Sequence, residues 1–223
     1  LGVLATDIAV YSPSGKPHLG WTENGMGNPW EIYDALIDAI PEEVTLTTVN
    51  VGAQWTRVIN SAGGAGMAWT MNVKSRPDIF PGVTLDGIPL REAAQLVRSW
   101  NLAESSIGQA AINSWHSTPS VAEANGFVPT GEGVNWGMVF DPYATEVTGK
   151  KVAVIGHFPF AQVALESAGE YICLERNPQS GDYPDSACEY LLPECDYVFI
   201  SGSAFVNKTA PRLIELAVAI LGR

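Results

Sequence analysis

Apolar positions between Trp30 and Ile40 recur at helical spacing, with Ile32, Ala35, Leu36 and Ala39 on one face. Asn28-Pro29 stands ahead of that run and Pro41 behind it, which predicts a helix. The period then shortens. Val44–Val51, Trp55–Asn60 and Met67–Val73 are β-rich runs parted by Gly52-Ala53-Gln54 and Gly63-Gly64-Ala65-Gly66, the pattern of an antiparallel meander. Past a punctuated loop from Arg76 to Pro89, Leu90–Trp100 and Leu102–Trp115 return to helical spacing. From Ser117 to Gly149 the apolar stretches are broken at Pro119, Gly126, Pro129, Gly131, Gly133, Gly137 and Pro142, which predicts a linker or cleft-lining loops. Beyond it, Lys151–Ile155, Tyr171–Leu174 and Tyr197–Ile200 are continuous apolar runs of the kind buried on both faces of a parallel sheet. Helical patterns over Phe160–Ala168, Asp185–Leu192 and Thr209–Leu221 alternate with them, so right-handed crossovers and a Rossmann-like half-sheet are expected.

The predicted organisation is a strand-like N-terminal extension over residues 1–29, an α+β domain over 30–116, a linker over 117–149 and an α/β domain with a mainly parallel sheet over 150–223. Hydrophobic residues make up 46% of the 223 and charged residues 16%, which suits two packed lobes with a cleft between them and excludes general disorder. A formal charge of −12 argues against nucleic acid. Gly and Pro break every apolar run well short of the ~20 residues a membrane span needs. Leu1–Tyr11 carries Asp7 and lacks a basic start, so it reads as a strand rather than a signal peptide. Three cysteines, Cys173, Cys188 and Cys195, are an odd number in a chain with an ample core; free thiols and a cytoplasmic location are expected.

Candidate chemistry falls at the carboxyl ends of the parallel strands, where loop amides and helix starts converge. Gly156-His157-Phe158-Pro159 has one glycine where a dinucleotide fingerprint has three. His157 is the histidine placed for acid–base work, with a hydrogen-bonded structural role as the even alternative. Glu175 follows Gly156 by 175 − 156 = 19 residues, near the spacing at which an acid meets a ribose diol, and so points to a nucleoside-like or polyol-like ligand. An exposed glutamate opening a loop is the equally weighted alternative. Asp182 and Tyr183 lie in the long loop 175–184, either as site residues or as the start of the next helix. As an exposed loop residue, Asp182 is expected to shift stability by under ~0.5 kcal/mol when removed. Lys208 and Thr209 suit an anionic group, unless Thr209 is only a helix cap. Cys188 and Cys195 do not have metal-ligand spacing, and the thiols read as small core hydrophobes.

Arg98–Asn113 and, further on, Val154–Pro159, Leu174-Glu175, Gly181–Pro184, Leu192–Asp196 and Asn207–Thr209 resemble the two signatures of a family of unknown function called "putative heavy-metal chelation". The resemblance implies an enolase N-terminal-like lobe, a Rossmann-like lobe and a site between them. It implies that the second domain continues beyond Arg223. It also implies binding of a small polar, heteroaromatic or metal-chelating molecule of pterin, flavin or siderophore type, with condensation or hydrolysis as the suggested chemistry. In that site His157, Glu175 and Asp182 would be catalytic. Asn101, Glu104, Asn113, Gly156, Tyr183, Lys208 and Thr209 would bind ligand. The competing expectation is a non-catalytic metal-binding protein using carboxylates and His157. A metal ion or a nucleoside-like ligand is the expected bound group, and a small molecule the expected partner, with a homo-oligomer as a further option.

Overall fold

The computed structural model describes residues 2–3, 8–11, 27–82, 84–126 and 138–218. Its chain order is β1 Gly2–Val3, β2 Ile8–Tyr11, α1 Glu31–Asp38, β3 Leu46–Val51, β4 Trp55–Asn60, β5 Ala65–Trp69, α2 Leu90–Ala94 and α3 Leu102–His116. There follow α4 Pro119–Ala124, β6 Lys151–Ile155, α5 Ala161–Ala164, β7 Glu170–Glu175, β8 Tyr183–Pro184, α6 Cys188–Leu191, β9 Tyr197–Ser201, α7 Ser203–Val206 and α8 Ala210–Val218. The fold is mixed α/β, with one antiparallel three-stranded sheet and a second sheet containing four parallel strands.

The meander is the small sheet, β3-β4-β5. One face, with Thr56, Val58 and Ala68 buried, packs on α3. Small residues make that approach close: a Cβ on Gly66 would lie 2.1 Å from the Ser114 nitrogen, and one on Gly108 would lie 1.9 Å from the Val97 nitrogen. Asn101 caps α3 by accepting from the Ala103 amide at 3.2 Å. The helix expected over Leu90–Trp100 tightens after Ala94 into a 3-10 turn, Gln95–Arg98, whose backbone is what Gly108 meets.

The larger sheet runs β1-β2-β9-β6-β7-β8, with β9, β6, β7 and β8 parallel and β2 antiparallel to β9. The N-terminal strand thus lies beside a strand that ends nearly two hundred residues later, a pairing no local pattern announces. Crossover helices are shorter than their patterns suggested: α5 has 4 residues and α6 has 4. The α7 turn stands where a loop was expected, and the part of the Thr209–Leu221 helix past Val218 lies outside the described residues.

The inner face of this sheet shares one core with the small sheet and its helices, running from Ile37, Leu46 and Leu90 to Ile200, Phe205 and Ile214. Tyr33 fixes the junction by donating its hydroxyl proton to the Phe205 carbonyl at 2.9 Å. On the outer face Val152, Val154 and Phe199 pack under Phe140 and Val147. Phe140 is fully buried among Phe158, Phe160 and Phe199, so residues 138–149 cover the outer face of the sheet. Pro and Gly there mark irregular backbone, not exposure. The punctuation at Pro129, Gly131, Gly133 and Gly137 lies outside the described residues. No helix among the described residues is long and apolar enough to cross a membrane.

Candidate functional site

Parallel pairing of β6 and β7 sets Val154 beside Cys173 and Ile155 beside Leu174. Gly156 ends β6 with φ +107, where a Cβ would press on Phe158 at 3.1 Å, and the turn it permits carries His157 over the end of β7. The long loop after β7 folds back as the edge strand β8, pairing Leu174 with Tyr183. That pairing brings Asp182 to the same place. His157 Nδ1 lies 2.9 and 3.2 Å from the two Asp182 oxygens and 3.9 Å from Cys173 Sγ. Asp182 is no exposed loop residue: its side chain is 4% exposed and also accepts the Gln179 amide at 2.9 Å. Nor does it cap a helix, since it precedes a strand.

Burial pushes the Asp182 carboxyl upward, but the Gln179 amide, the Cys173 thiol and His157 outweigh it and hold the group below its ordinary range. The Cys173 thiol moves the other way, pushed up to about 12 by burial first and then by the Asp182 charge. A protonated, buried thiol is the opposite of an activated nucleophile, which needs a lowered pKa. Thiol and carboxylate also approach the same ring nitrogen, so the three groups form no proton relay.

They do suit a metal ion. His157, Cys173 and Asp182 each offer a ligand atom, all within 4.8 Å of one another, the one such cluster found among the described residues. Bonds of ~2.0–2.3 Å in a tetrahedron put ligand atoms ~3.3–3.8 Å apart, so an ion would need shifts of well under an ångström for the pairs measured here. Three protein ligands leave a fourth position open.

Glu175 sits between this cluster and a pocket. Its carboxylate accepts the backbone N–H groups of His157 at 3.0 Å, Arg176 at 2.7 Å and Asn177 at 3.2 Å. The pocket, of about 390 Å³, opens where β6, β7 and β9 end. Ile155, Leu174, Leu213 and Leu216 line it together with Ser201, Ser203 and Asn207, all from residues 155–216. Alternation along β7 places Leu174 on the inner face and Tyr171, hence Cys173, on the outer one. The cluster and the pocket therefore lie on opposite faces of one sheet edge.

Of the residues expected in a site, His157 and Asp182 join the cluster, while Gly156, Glu175, Lys208 and Thr209 line the pocket. Tyr183 is half exposed on the edge strand. Lys208 does not present its ammonium to a ligand: it donates to the Ser99 carbonyl, the Ser105 hydroxyl and the Val206 carbonyl, between α7 and α3. Thr209 donates to Asn207 at 2.6 Å. Asn101, Glu104 and Asn113 fall elsewhere. Glu104 accepts the amides of Ile79 and Phe80, Asn101 caps α3 and bonds Asp78, and Asn113 donates to the Met67 carbonyl. Each is held by partners within residues 67–104, and none bonds His157. Cys173 is the residue missed, because its role depends on the β6–β7 register. All three cysteines are buried and free, with Cys195 donating to the Leu191 carbonyl.

Two family signatures, both described as "putative heavy-metal chelation", match residues 33–116 and 139–220. A protein of unknown function from the DUF364 family of Desulfitobacterium hafniense has a crystal structure similar to this one, at 40% identity and TM-score 0.71, covering 84% of this chain and 74% of that one. A second DUF364 protein of unknown function, from Pyrococcus horikoshii, is 21% identical with a TM-score of 0.58 over 84% of this chain and 74% of its own, a likeness of fold alone. No curated protein matches the chain. On the two matched segments and the 40% identity, the chain belongs to the DUF364 family.

Proposed function

We propose that this protein binds a thiophilic divalent metal ion through Cys173, His157 and Asp182, as a metal-binding rather than a catalytic protein. One observation carries the reading: three donors of different type, from the turn after β6, from within β7 and from the residue before β8, converge within 4.8 Å. Sulfur and imidazole beside a single carboxylate favour zinc, cobalt, nickel or copper over magnesium or calcium, which prefer all-oxygen sets. The open fourth position is where a metal-chelating small molecule would bind. The catalytic roles expected of Glu175 and Asp182 have less support, because Glu175 is engaged by backbone amides and the Cys173 thiol is held protonated. As part of the same proposal, the two sheets correspond to enolase N-terminal-like and Rossmann-like lobes, and the three free thiols accord with a cytoplasmic location.

Cobalt(II) titration tests the metal site. Wild-type protein should develop a thiolate-to-cobalt charge-transfer band in the near ultraviolet, with one ion bound per chain. Cys173→Ser should lose the band, and His157→Ala and Asp182→Asn, each removing a direct ligand, should weaken affinity by at least the ~10–100-fold that loss of an outer-shell partner costs. Saturable cobalt binding without a thiolate band, or a band that persists in Cys173→Ser, would refute the assignment.

A further inference from the structure

The pocket at the ends of β6, β7 and β9 is a second site, on the opposite face of the sheet edge from the metal ligands, and its lining restricts what can enter. Strand order reverses between β6–β7 and β9, and in parallel sheets small ligands collect at such a reversal. About 390 Å³ is enough for a nucleoside-sized molecule. The floor is apolar, formed by Ile155, Leu174, Leu213 and Leu216.

Every strong charge in the wall is already engaged. Arg176 pairs with Asp185 at 3.2 Å, and Arg212 grips both oxygens of Glu189 at 2.9 and 2.5 Å. The Lys208 ammonium is turned to the Ser99 carbonyl, the Ser105 hydroxyl and the Val206 carbonyl. The turn after β6 is where a phosphate would be cradled by free amides, yet it has few to offer. The Gly156 N–H goes to the Leu174 carbonyl at 2.9 Å, the His157 N–H goes to Glu175 at 3.0 Å, and Pro159 has none. Glu175 acts as a built-in anion: its carboxylate takes the amides of both neighbouring turns and places a negative charge on the rim. A phosphate arriving at this turn would meet a like charge and Gly156 and His157 amides that are already bonded, so its lost hydration would be poorly compensated. What remains for a ligand is neutral hydrogen bonding. Asn207 accepts through Oδ1 from Thr209 and keeps its amide N–H₂ without a partner among the described residues, and the Ser201 and Ser203 hydroxyls, 2.8 Å apart, stand beside it.

We propose that this pocket takes an uncharged, flat, polar molecule of nucleobase to nucleoside size, and that Glu175 excludes the phosphorylated form. The site does not depend on the metal reading, since it shares no side chain with the three metal ligands.

Adenosine and 5′-AMP serve as probes, titrated calorimetrically into metal-free full-length protein. Adenosine should bind, and AMP should bind at least ~10-fold more weakly. Ser186→Trp, which puts an indole from an exposed position into the pocket mouth, should abolish adenosine binding, whereas Cys173→Ser should leave it unchanged and lose only cobalt. Glu175→Ala should raise AMP affinity while leaving that of adenosine within a few-fold. Glu175→Gln, which keeps the side-chain shape, should narrow the discrimination in the same sense. No heat with adenosine, AMP binding as tight as adenosine in the wild type, or discrimination untouched in both Glu175 variants would each overturn the proposal. Loss of adenosine binding in Cys173→Ser would overturn the separation of the two sites, and loss of cobalt alone bears only on the metal reading.

Discussion

The imidazole of His157 and the carboxylate of Asp182 meet at 2.9 Å although 25 residues separate them in the chain. The contact exists because the loop after β7 returns as β8 instead of entering a helix directly. Its carboxyl is nearly buried, so the contact bears on stability as well as on metal binding. With its folded pKa lowered, Asp182 contributes stability that is present above the unfolded carboxylate pKa and is lost as pH falls through the folded value. Asp182→Asn should therefore cost about 1–3 kcal/mol near neutral pH and flatten the acid limb of the stability curve. Urea midpoints from neutral pH downward check this. A variant curve parallel to wild type would mean that the pair forms equally in the unfolded chain.

Metal loading should release protons. The Cys173 thiol is pushed up to about 12, so at pH 8 it holds a proton that a coordinating ion must displace. Calorimetry of zinc binding in buffers of different ionisation enthalpy should show about one proton released per ion at that pH, with affinity rising as pH rises. Without metal the same shift works through stability. A thiol whose folded pKa lies above its unfolded value stabilises the fold below the unfolded pKa, and that contribution is lost as pH climbs through the folded one. Cys188 and Cys195 are raised to about 12 and about 11, so the apoprotein should weaken from about pH 9 upward, as Tm against pH would show.

What the sequence made legible follows from how local each signal is. Trp30–Ile40 and the meander were readable from the spacing of their apolar residues and turns, and the three parallel strands from unbroken apolar runs, because burial on one or both faces marks consecutive residues. The Ile8–Tyr11 pairing with β9 and the burial of Phe140 were not, since each depends on a partner distant in the chain. The site divides in the same way. His157, Glu175 and Asp182 could be picked out because they follow strand ends, but Cys173 looked like a core hydrophobe until the register set it across from Val154. Glu104 was legible as a buried polar residue but not its partners: a buried carboxylate needs donors, and the backbone amides of Ile79 and Phe80, distant in the chain, supply them.

The contact of α3 with the preceding 3-10 turn sets a second stability test. A Cβ at position 108 would lie 1.9 Å from the Val97 nitrogen and 2.5 Å from the Leu96 carbonyl carbon, both backbone atoms that cannot swing aside. Gly108→Ala should thus destabilise by about 3 kcal/mol or more despite alanine's better helix propensity. An increase in Tm would show that α3 stands off from residues 96–97.

Lys208 offers a comparison in which glycine should outperform alanine. Its backbone lies at φ +66, the left-handed region that costs a residue with a Cβ ~1–2 kcal/mol, and its ammonium joins α7 to α3 through Ser99, Ser105 and Val206 beneath the Trp100 ring at 5.4 Å. Both Lys208→Ala and Lys208→Gly lose those hydrogen bonds, and each should destabilise by ~2–3 kcal/mol. They differ in the backbone. Alanine keeps the left-handed strain and glycine relieves it, and glycine's greater freedom when unfolded offsets only part of the gain. Lys208→Gly should end ~0.5–1 kcal/mol more stable than Lys208→Ala, which for a chain of 223 residues is ~1–4 °C in Tm. The reverse order would remove the left-handed backbone from the account of this junction, and two variants as stable as wild type would remove the ammonium bridge.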